Sequence, residues 1–279
     1  MPEHRTESRR RWSASAAGWS RRADQLHAAT MPVSERMVEL VEPRPGHTLL
    51  ELAAGIGDVG FLAAPRLLPG GTLICTDFVP EMLASAQERA KRLGVENVRF
   101  RQIDAELIDQ PAATLDGILC RWGFMLMADP EAALRQCRRI LRPGGRLALA
   151  AWEGPEANPW SSLPQAELRR RGLAEAPAPG APGQFAWARQ ETIAETLQVA
   201  GFVDFELDSV SFAMAYDDFE HWWQTQLDLS RSFADAVAAA PAEMREEVRH
   251  ALSQAAAEFA TADGRLEVPA RTWVAGAVA

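Results

Sequence analysis

Cysteine is scarce in this chain: Cys75, Cys120 and Cys137 are the only thiols in 279 residues. They are widely spaced in apolar surroundings, which excludes a paired disulfide framework and a CxxC metal clamp. Buried thiols in a reducing cytoplasm, with no metal site, are the expectation. Long apolar runs are missing too. No stretch approaches the 18 or so residues that a membrane-spanning helix needs. Arg5, Arg9, Arg10 and Arg11 lead into no apolar segment of the secretory kind. Glu3 and Glu7 interrupt the acid-poor pattern of an organellar leader, and Trp12 and Trp19 suit a packed helix better. Positive charge is also in deficit, the formal net charge being −9. A nucleic-acid binder needs a dominating basic face, so nucleic acid is not expected as a partner and small or neutral molecules are.

What the chain does have is a globular balance, 47% hydrophobic and 24% charged, and enough length to bury a sizeable core in one domain with insertions. The first forty residues read as helices, with Val33, Met37, Leu40 and Val41 on one stripe that ends before Pro43 and Pro45. From residue 47 a short apolar strand, a glycine or proline turn and a helix-period segment alternate repeatedly, the pattern of a parallel sheet covered by helices. Strands are expected over 48–52, 72–76, 98–103, 117–120 and 146–151, and helices over 59–68, 80–93 and 130–141. The last of these has Asp129 as N-cap and Pro130 at its first position. A proline-rich excursion over 154–184 includes Pro155, Pro159, Pro164, Pro177, Pro179 and Pro182; excursions of that length serve as lids or binding loops. Then follow a helix over 191–200, a strand over 203–212, helices over 217–229 and 241–259, and a closing strand over 266–278. The expected architecture is α/β, Rossmann-like and doubly wound: a mostly parallel seven-stranded sheet, an N-terminal helical element, and a helical cap inserted between the last two strands. Along the chain this gives N-terminal helices (1–46), core (47–153), lid excursion (154–190), core (191–215), cap (216–264) and final strand (265–279).

Ligands bind such sheets beyond the carboxyl ends of the strands, where the strand order reverses. The first strand ends in an acid and runs directly into a glycine turn, Glu51-Leu52-Ala53-Ala54-Gly55-Ile56-Gly57, where small residues let the backbone approach a ligand closely. Asp77 closes the second strand 20 residues after Gly57. A carboxylate there can accept hydrogen bonds from both hydroxyls of a ribose, the other reading being a cap for the helix that starts at Pro80. After the third strand, Asp104 can accept from the exocyclic amine of an adenine while the small Ala105 admits the ring, or Asp104 is a turn residue. Leu141-Arg142-Pro143-Gly144-Gly145-Arg146 is a helix end, a turn and a strand start.

Together these elements resemble the class I S-adenosylmethionine-dependent methyltransferases, in particular the small-molecule branch that includes the ubiquinone/menaquinone-biosynthesis methyltransferases. The resemblance is good over 49–152 and one of layout elsewhere. It implies that Glu51, Ala53, Gly55 and Gly57 bind the methionine moiety of the cofactor, Asp77 its ribose, and Phe78, Asp104 and Ala105 its adenine. It puts Cys120 and Arg121, ending the fourth strand, close to the sulfonium and the substrate. The departure is Ala53, where the family commonly has glycine. The turn reads A-A-G-I-G-D over 53–58 where a nicotinamide-binding Rossmann domain would show GxGxxG.

The resemblance implies S-adenosylmethionine as cofactor, S-adenosylhomocysteine as product and in-line attack by an oxygen, carbon or nitrogen nucleophile of a small molecule. Alignment of the reactants can supply roughly 7–11 kcal/mol of the barrier. Where the nucleophile must lose a proton, candidate groups are His221 and His27, then Asp217, Asp218 and Tyr216, the only tyrosine, with Arg121 beside the reacting centre. Trp12, Trp19, Trp160, Trp187, Trp222 and Trp223 fall in segments assigned to the cap or to its neighbours, and they suit an apolar or aromatic acceptor. Two other classes stay open: an NAD(P)-dependent oxidoreductase, and a non-catalytic scaffold whose cap forms a homodimer surface.

Overall fold

The computed structural model describes residues 2–279, with side chains from His4 onward. The chain begins with two helices, α1 (Pro2–Arg21) and α2 (Ala23–Val41). The core follows in the order β1 (Thr48–Glu51), α3 (Asp58–Ala63), β2 (Thr72–Asp77), α4 (Pro80–Leu93), β3 (Val98–Gln102), β4 (Leu115–Arg121), α5 (Pro130–Ile140) and β5 (Leu141–Trp152). Beyond it come α6 (Pro159–Arg170), α7 (Gln190–Val199), β6 (Val203–Tyr216), α8 (Phe219–Leu229), α9 (Arg231–Ala239), α10 (Ala242–Ala256) and β7 (Leu266–Val278).

The seven strands make one sheet in the order β3-β2-β1-β4-β5-β7-β6. The first five run parallel, while β7 lies antiparallel between β5 and β6. Order reverses between β1 and β4, so the crevice of a doubly wound sheet opens beyond Glu51 and Arg121. Period-two alternation sends neighbouring leucines to opposite faces: Leu49 packs with α2, α3 and α4, and Leu50 with the face covered by α5, α7 and the cap. Burying each such side chain stabilises by about 1.5–3 kcal/mol.

Local chemistry accounts for the helix limits. Asp129 accepts the Ala132 N–H at 2.8 Å and Pro130 stands first in α5, as that dipeptide requires. Gly94 ends α4 at φ 68°, a left-handed conformation that costs glycine nothing. The helix expected over 59–68 is α-helical only to Ala63, after which a 3₁₀ turn takes over around Pro65, because proline brings no N–H. β6 runs on to Tyr216, four residues beyond the expected end.

Two helices go beyond the expectation. α6 lies inside the proline-rich excursion, with Pro159 at its first position and Pro164 in its interior. α9 fits between the two cap helices that the periodicity marks, with the Ser230 side chain accepting the Phe233 N–H. α1 and α8 approach so closely at Gly18 that a Cβ there would collide with the Asp228 carbonyl. Among the described residues no helix is long and apolar enough to cross a membrane.

Candidate functional site

The turn that leaves β1 is held by its neighbours. Ala53, Gly55 and Gly57 all take positive φ, at 48°, 54° and 79°. Gly55 N donates to Asp77 Oδ2 at 2.9 Å, and Val79 N donates to Asp77 Oδ1 at 2.9 Å. Asp77 is buried at the end of β2; burial pushes its carboxyl upward and these N–H groups work against that. Each of its oxygens carries one backbone bond and keeps a lone pair for a further donor.

Glu51 is the other buried carboxyl. Its Oε1 accepts the Gly60 N–H at 3.0 Å, whereas its Oε2 has no partner. Burial pushes the group up to about 7, against the pull of the Gly60 N–H and of Arg121. Gly60 permits this arrangement, since a Cβ there would strike the carboxylate.

Glu51, Asp77 and the turn form one side of a cleft of about 1080 Å³, open solvent included. Its far side is α1. Trp12 and Trp19, edge to face at 5.6 Å, pack with Ile56, Val79 and Met82. Arg5 Nε lies 3.1 Å from Glu106 Oε2 and 4.0 Å from Asp104 Oδ2. The ring of His4 meets the Leu126 carbonyl at 3.2 Å. Asp104 Oδ1 accepts the Glu106 N–H at 3.0 Å. The N-terminal helix thus closes over the carboxyl ends of β1, β2 and β3.

Below the turn lies a buried ion cluster. Asp58, the first residue of α3, pairs with Arg89 and Arg121 at 2.6 Å each and with His27 Nδ1 at 3.2 Å. Arg121 also donates to Thr30 and Ser34 of α2, and its guanidinium lies 4.6 Å above the Trp122 ring. Although burial opposes its charge, Asp58 is held well below the usual carboxylate range by Arg121, His27 and Arg89.

Of the residues singled out in the sequence, the structure brings Glu51, Ala53, Gly55, Asp77, Phe78, Asp104, Ala105 and Arg121 to the cleft wall. Gly57, Cys120, His27, His221, Asp217, Asp218 and Tyr216 lie off it, as do Trp160, Trp187, Trp222 and Trp223. Gly57 faces the Phe61 ring, and a Cβ there would collide with it. Cys120 is buried behind the turn at Gly123, its thiol pushed up to about 12 by that burial. His27 belongs to the ion cluster. His221, on α8, has Nδ1 at 3.1 Å from Asp217 Oδ2 and Nε2 at 3.2 Å from Gln25 Oε1, which ties it to the cap and α2. Asp218 caps α8 by accepting the His221 N–H, Asp217 pairs with Arg265, and Tyr216 is buried with an unpartnered hydroxyl. Sequence reasoning missed Arg5, Asp58, Gly60, Arg89 and Trp122. Arg89 had a signal, because it stands among Met82, Leu83, Ala86 and Ala90 on the buried stripe of α4. Among the described residues no group of three or more His, Cys, Asp or Glu side chains could hold a metal.

The family described as Methyltransferase domain matches residues 43–171. Among curated proteins, nocamycin O-methyltransferase of Saccharothrix syringae is 31% identical over 185 residues, 62% of this chain and 65% of that protein. Demethylmenaquinone methyltransferase of Thermus thermophilus is 37% identical over 120 residues, 43% of this chain and 54% of that one. The chain therefore spans less than two thirds of the length of these relatives. Among solved structures, the YcgJ protein of Bacillus subtilis superposes with a TM-score of 0.57 at 18% identity, covering 88% of this chain and 97% of the other. Phosphoethanolamine N-methyltransferase 2 of Haemonchus contortus, solved with S-adenosylmethionine, gives 0.52 at 17% identity over 88% of this chain and 51% of its own. At those identities the likeness is one of fold.

Proposed function

Because residues 43–171 belong to the methyltransferase-domain family, we propose that the whole chain transfers a methyl group from S-adenosylmethionine to a small, apolar or aromatic acceptor and releases S-adenosylhomocysteine. One observation carries this reading: a buried carboxylate oxygen, Glu51 Oε2, left without a partner beside a glycine turn in left-handed conformation. An unpaired buried acceptor is costly unless a donor arrives, and the ammonium of a methionyl group is such a donor. The two remaining lone pairs on Asp77 suit a vicinal diol, and Gly55 leaves open the space a Cβ would fill. Phe78, Asp104 and Ala105 would flank an adenine.

The cofactor, once bound, supplies an electrophilic methyl on a sulfonium. The protein's part is to exclude water and hold the acceptor in line. α1 shields the cleft, and Arg121, fixed by Asp58, Thr30 and Ser34, presents a rigid wall where β4 ends. Neither candidate histidine lines the cleft: Asp58 holds His27 Nδ1 in the ion cluster, and both ring nitrogens of His221 are engaged between Asp217 and Gln25. Neither therefore serves as a base for the nucleophile. Oxygen, carbon and nitrogen acceptors are all compatible with this arrangement. Three free, buried thiols support a reducing cytoplasmic setting.

Thermal melts with S-adenosylmethionine, S-adenosylhomocysteine, NAD and NADP test the reading. At about 100 times its dissociation constant a ligand adds about 2.7 kcal/mol, which for a chain of this size raises Tm by several degrees. The two sulfur nucleotides should each do so and the nicotinamides should not. A response to NAD or NADP alone would replace methyl transfer with hydride transfer, and no response to any would leave a scaffold.

A further inference from the structure

One buried carboxylate answers two guanidinium groups. Asp58 pairs with Arg89 and Arg121 at 2.6 Å each, and these three side chains together carry one positive charge in excess. Both arginine side chains are at least nine-tenths buried, where an uncompensated charge is costly. Of the two, Arg121 is the one that lines the cleft. Its Nη1 donates to Thr30 Oγ1 at 2.7 Å and to Ser34 Oγ at 2.9 Å, and its Nη2 donates to Asp58 Oδ2 at 2.6 Å. A guanidinium has five N–H groups, so the Nε–H and one N–H of Nη2 are left without an acceptor among the described residues. The Trp122 ring covers one face of the group at 4.6 Å. A further partner must therefore arrive in the guanidinium plane, the direction from which a carboxylate binds.

Glu51 lies within the field of Arg121 and also lines the cleft. Its Oε2 is the unpaired acceptor that suits an ammonium. The strands β1 and β4 that carry the two residues are neighbours, about 4.8 Å apart. Glu51 stands opposite Leu119, and Arg121 follows two residues later. An acceptor without a donor and donors without an acceptor thus stand side by side where the strand order reverses. An α-amino acid group complements both, because it bears an ammonium and a carboxylate on one carbon. The other cationic or basic side chains on the cleft wall are already engaged. Arg5 Nε lies 3.1 Å from Glu106 Oε2 and 4.0 Å from Asp104 Oδ2, and the His4 ring meets the Leu126 carbonyl.

We infer that Arg121 receives the carboxylate of the cofactor's methionyl group while Glu51 receives its ammonium, so that the two residues read the α-amino acid as a pair. This rests on the methyl-transfer reading and adds to it the residue that selects the donor. Asp58 acts as a positioning residue. It fixes the guanidinium through Nη2, and because it is shared with Arg89 it leaves Arg121 short of a full counter-charge. The incoming carboxylate supplies that charge. A ligand that keeps the adenosine, the sulfur and the ammonium but lacks the carboxylate leaves the surplus buried and unanswered, and the cleft discriminates against it on that account.

The test is calorimetric titration of the full chain with S-adenosylhomocysteine and with S-adenosyl-3-thiopropylamine, the same molecule without its carboxylate. The wild type should bind S-adenosylhomocysteine about tenfold more tightly than the decarboxylated analogue. Arg121→Met should weaken S-adenosylhomocysteine about tenfold and leave the analogue within about twofold, so that the preference disappears. Arg121→Lys keeps a positive charge beside Asp58 and loses the planar fork. It should show a preference several-fold smaller than the wild type's, and it decides the matter if Arg121→Met does not fold. A preference equal to the wild type's in either variant overturns the assignment and puts the carboxylate on the backbone N–H groups of the turn. Equal weakening of both ligands also overturns it, since a merely structural arginine would act that way. A wild type that binds both ligands alike removes Arg121 from the donor site and leaves methyl transfer standing. A wild type that binds neither overturns both.

Discussion

Glu51 faces two opposed demands. Its carboxyl is only 3% exposed and is raised from an ordinary 4.5 to about 7, so in the absence of a ligand the folded protein holds a proton that the unfolded chain releases. Below pH 4.5 both states are protonated and nothing is lost. Between 4.5 and 7 the unfolded state ionises first, so stability falls as pH rises; above about 7 the loss is complete, on the order of 3 kcal/mol. Glu51→Gln should therefore flatten the slope of unfolding free energy between pH 4.5 and 7 and be the more stable protein at pH 8. It should also bind S-adenosylmethionine at least tenfold more weakly, since a neutral amide cannot match an ammonium. Urea titrations across that pH range and calorimetric cofactor binding check the two halves. A variant that gains stability and keeps full affinity would remove Glu51 from the cofactor site. Glu51 and Asp77 were legible in the sequence because each acid ends an apolar strand, at the edge where ligands meet such a sheet. The unpaired state of Glu51 Oε2 was not, since it depends on how Gly60 and α3 close beneath it.

At the scale of elements, the Asp58 cluster joins four that share little sequence: α2 through His27, Thr30 and Ser34, α3 through Asp58, α4 through Arg89 and β4 through Arg121. The Arg89 and Arg121 side chains are 5% and 10% exposed and lean on one carboxylate. Asp58→Asn leaves two buried guanidinium groups without their counter-charge and should cost about 3–5 kcal/mol, read as a lower midpoint in urea. An effect below about 1 kcal/mol would mean that the cluster is solvated. The strands and most core helices were readable because a local signal marks each: an apolar run, a glycine turn, a stripe, a cap. α6 was not, because Pro159 and Pro164 argue locally for a loop. Pro159 stands where a helix needs no N–H. Pro164 in the interior leaves the carbonyl four residues before it, that of Trp160, without its helical donor. That carbonyl accepts instead from Trp222 Nε1 and Gln226 Nε2 of α8. The helix is stabilised by an element more than 60 residues away in sequence, and no local reading contains that.

For the whole molecule, the contrast lies between the segment that matches a family and the segments that complete its core. Residues 43–171 include β1 to β5 and α6 and end before β6 and β7. Without the rest, β5 loses its antiparallel partner β7 along Arg146 to Trp152 and becomes an exposed edge. The face of the sheet that carries Leu50, Leu147 and Leu149 loses Ile193, Leu197, Phe202 and Trp222, all buried with it in one cluster. The opposite face loses α2, whose Val33, Met37 and Val41 pack against Leu49. Tryptophan and leucine side chains buried in this way contribute on the order of 2 kcal/mol each, against a net stability of about 5–15 kcal/mol for a typical domain. The expectation is that a fragment of residues 43–171 shows no cooperative urea transition and binds S-adenosylmethionine weakly or not at all, while the full chain unfolds in a single transition. A sharp transition in the fragment would mean that the helices and strands outside the matched segment serve the acceptor and the lid alone. Its absence would mean that the cap, the N-terminal helices and the last two strands are as much part of the fold as the segment that matches the family.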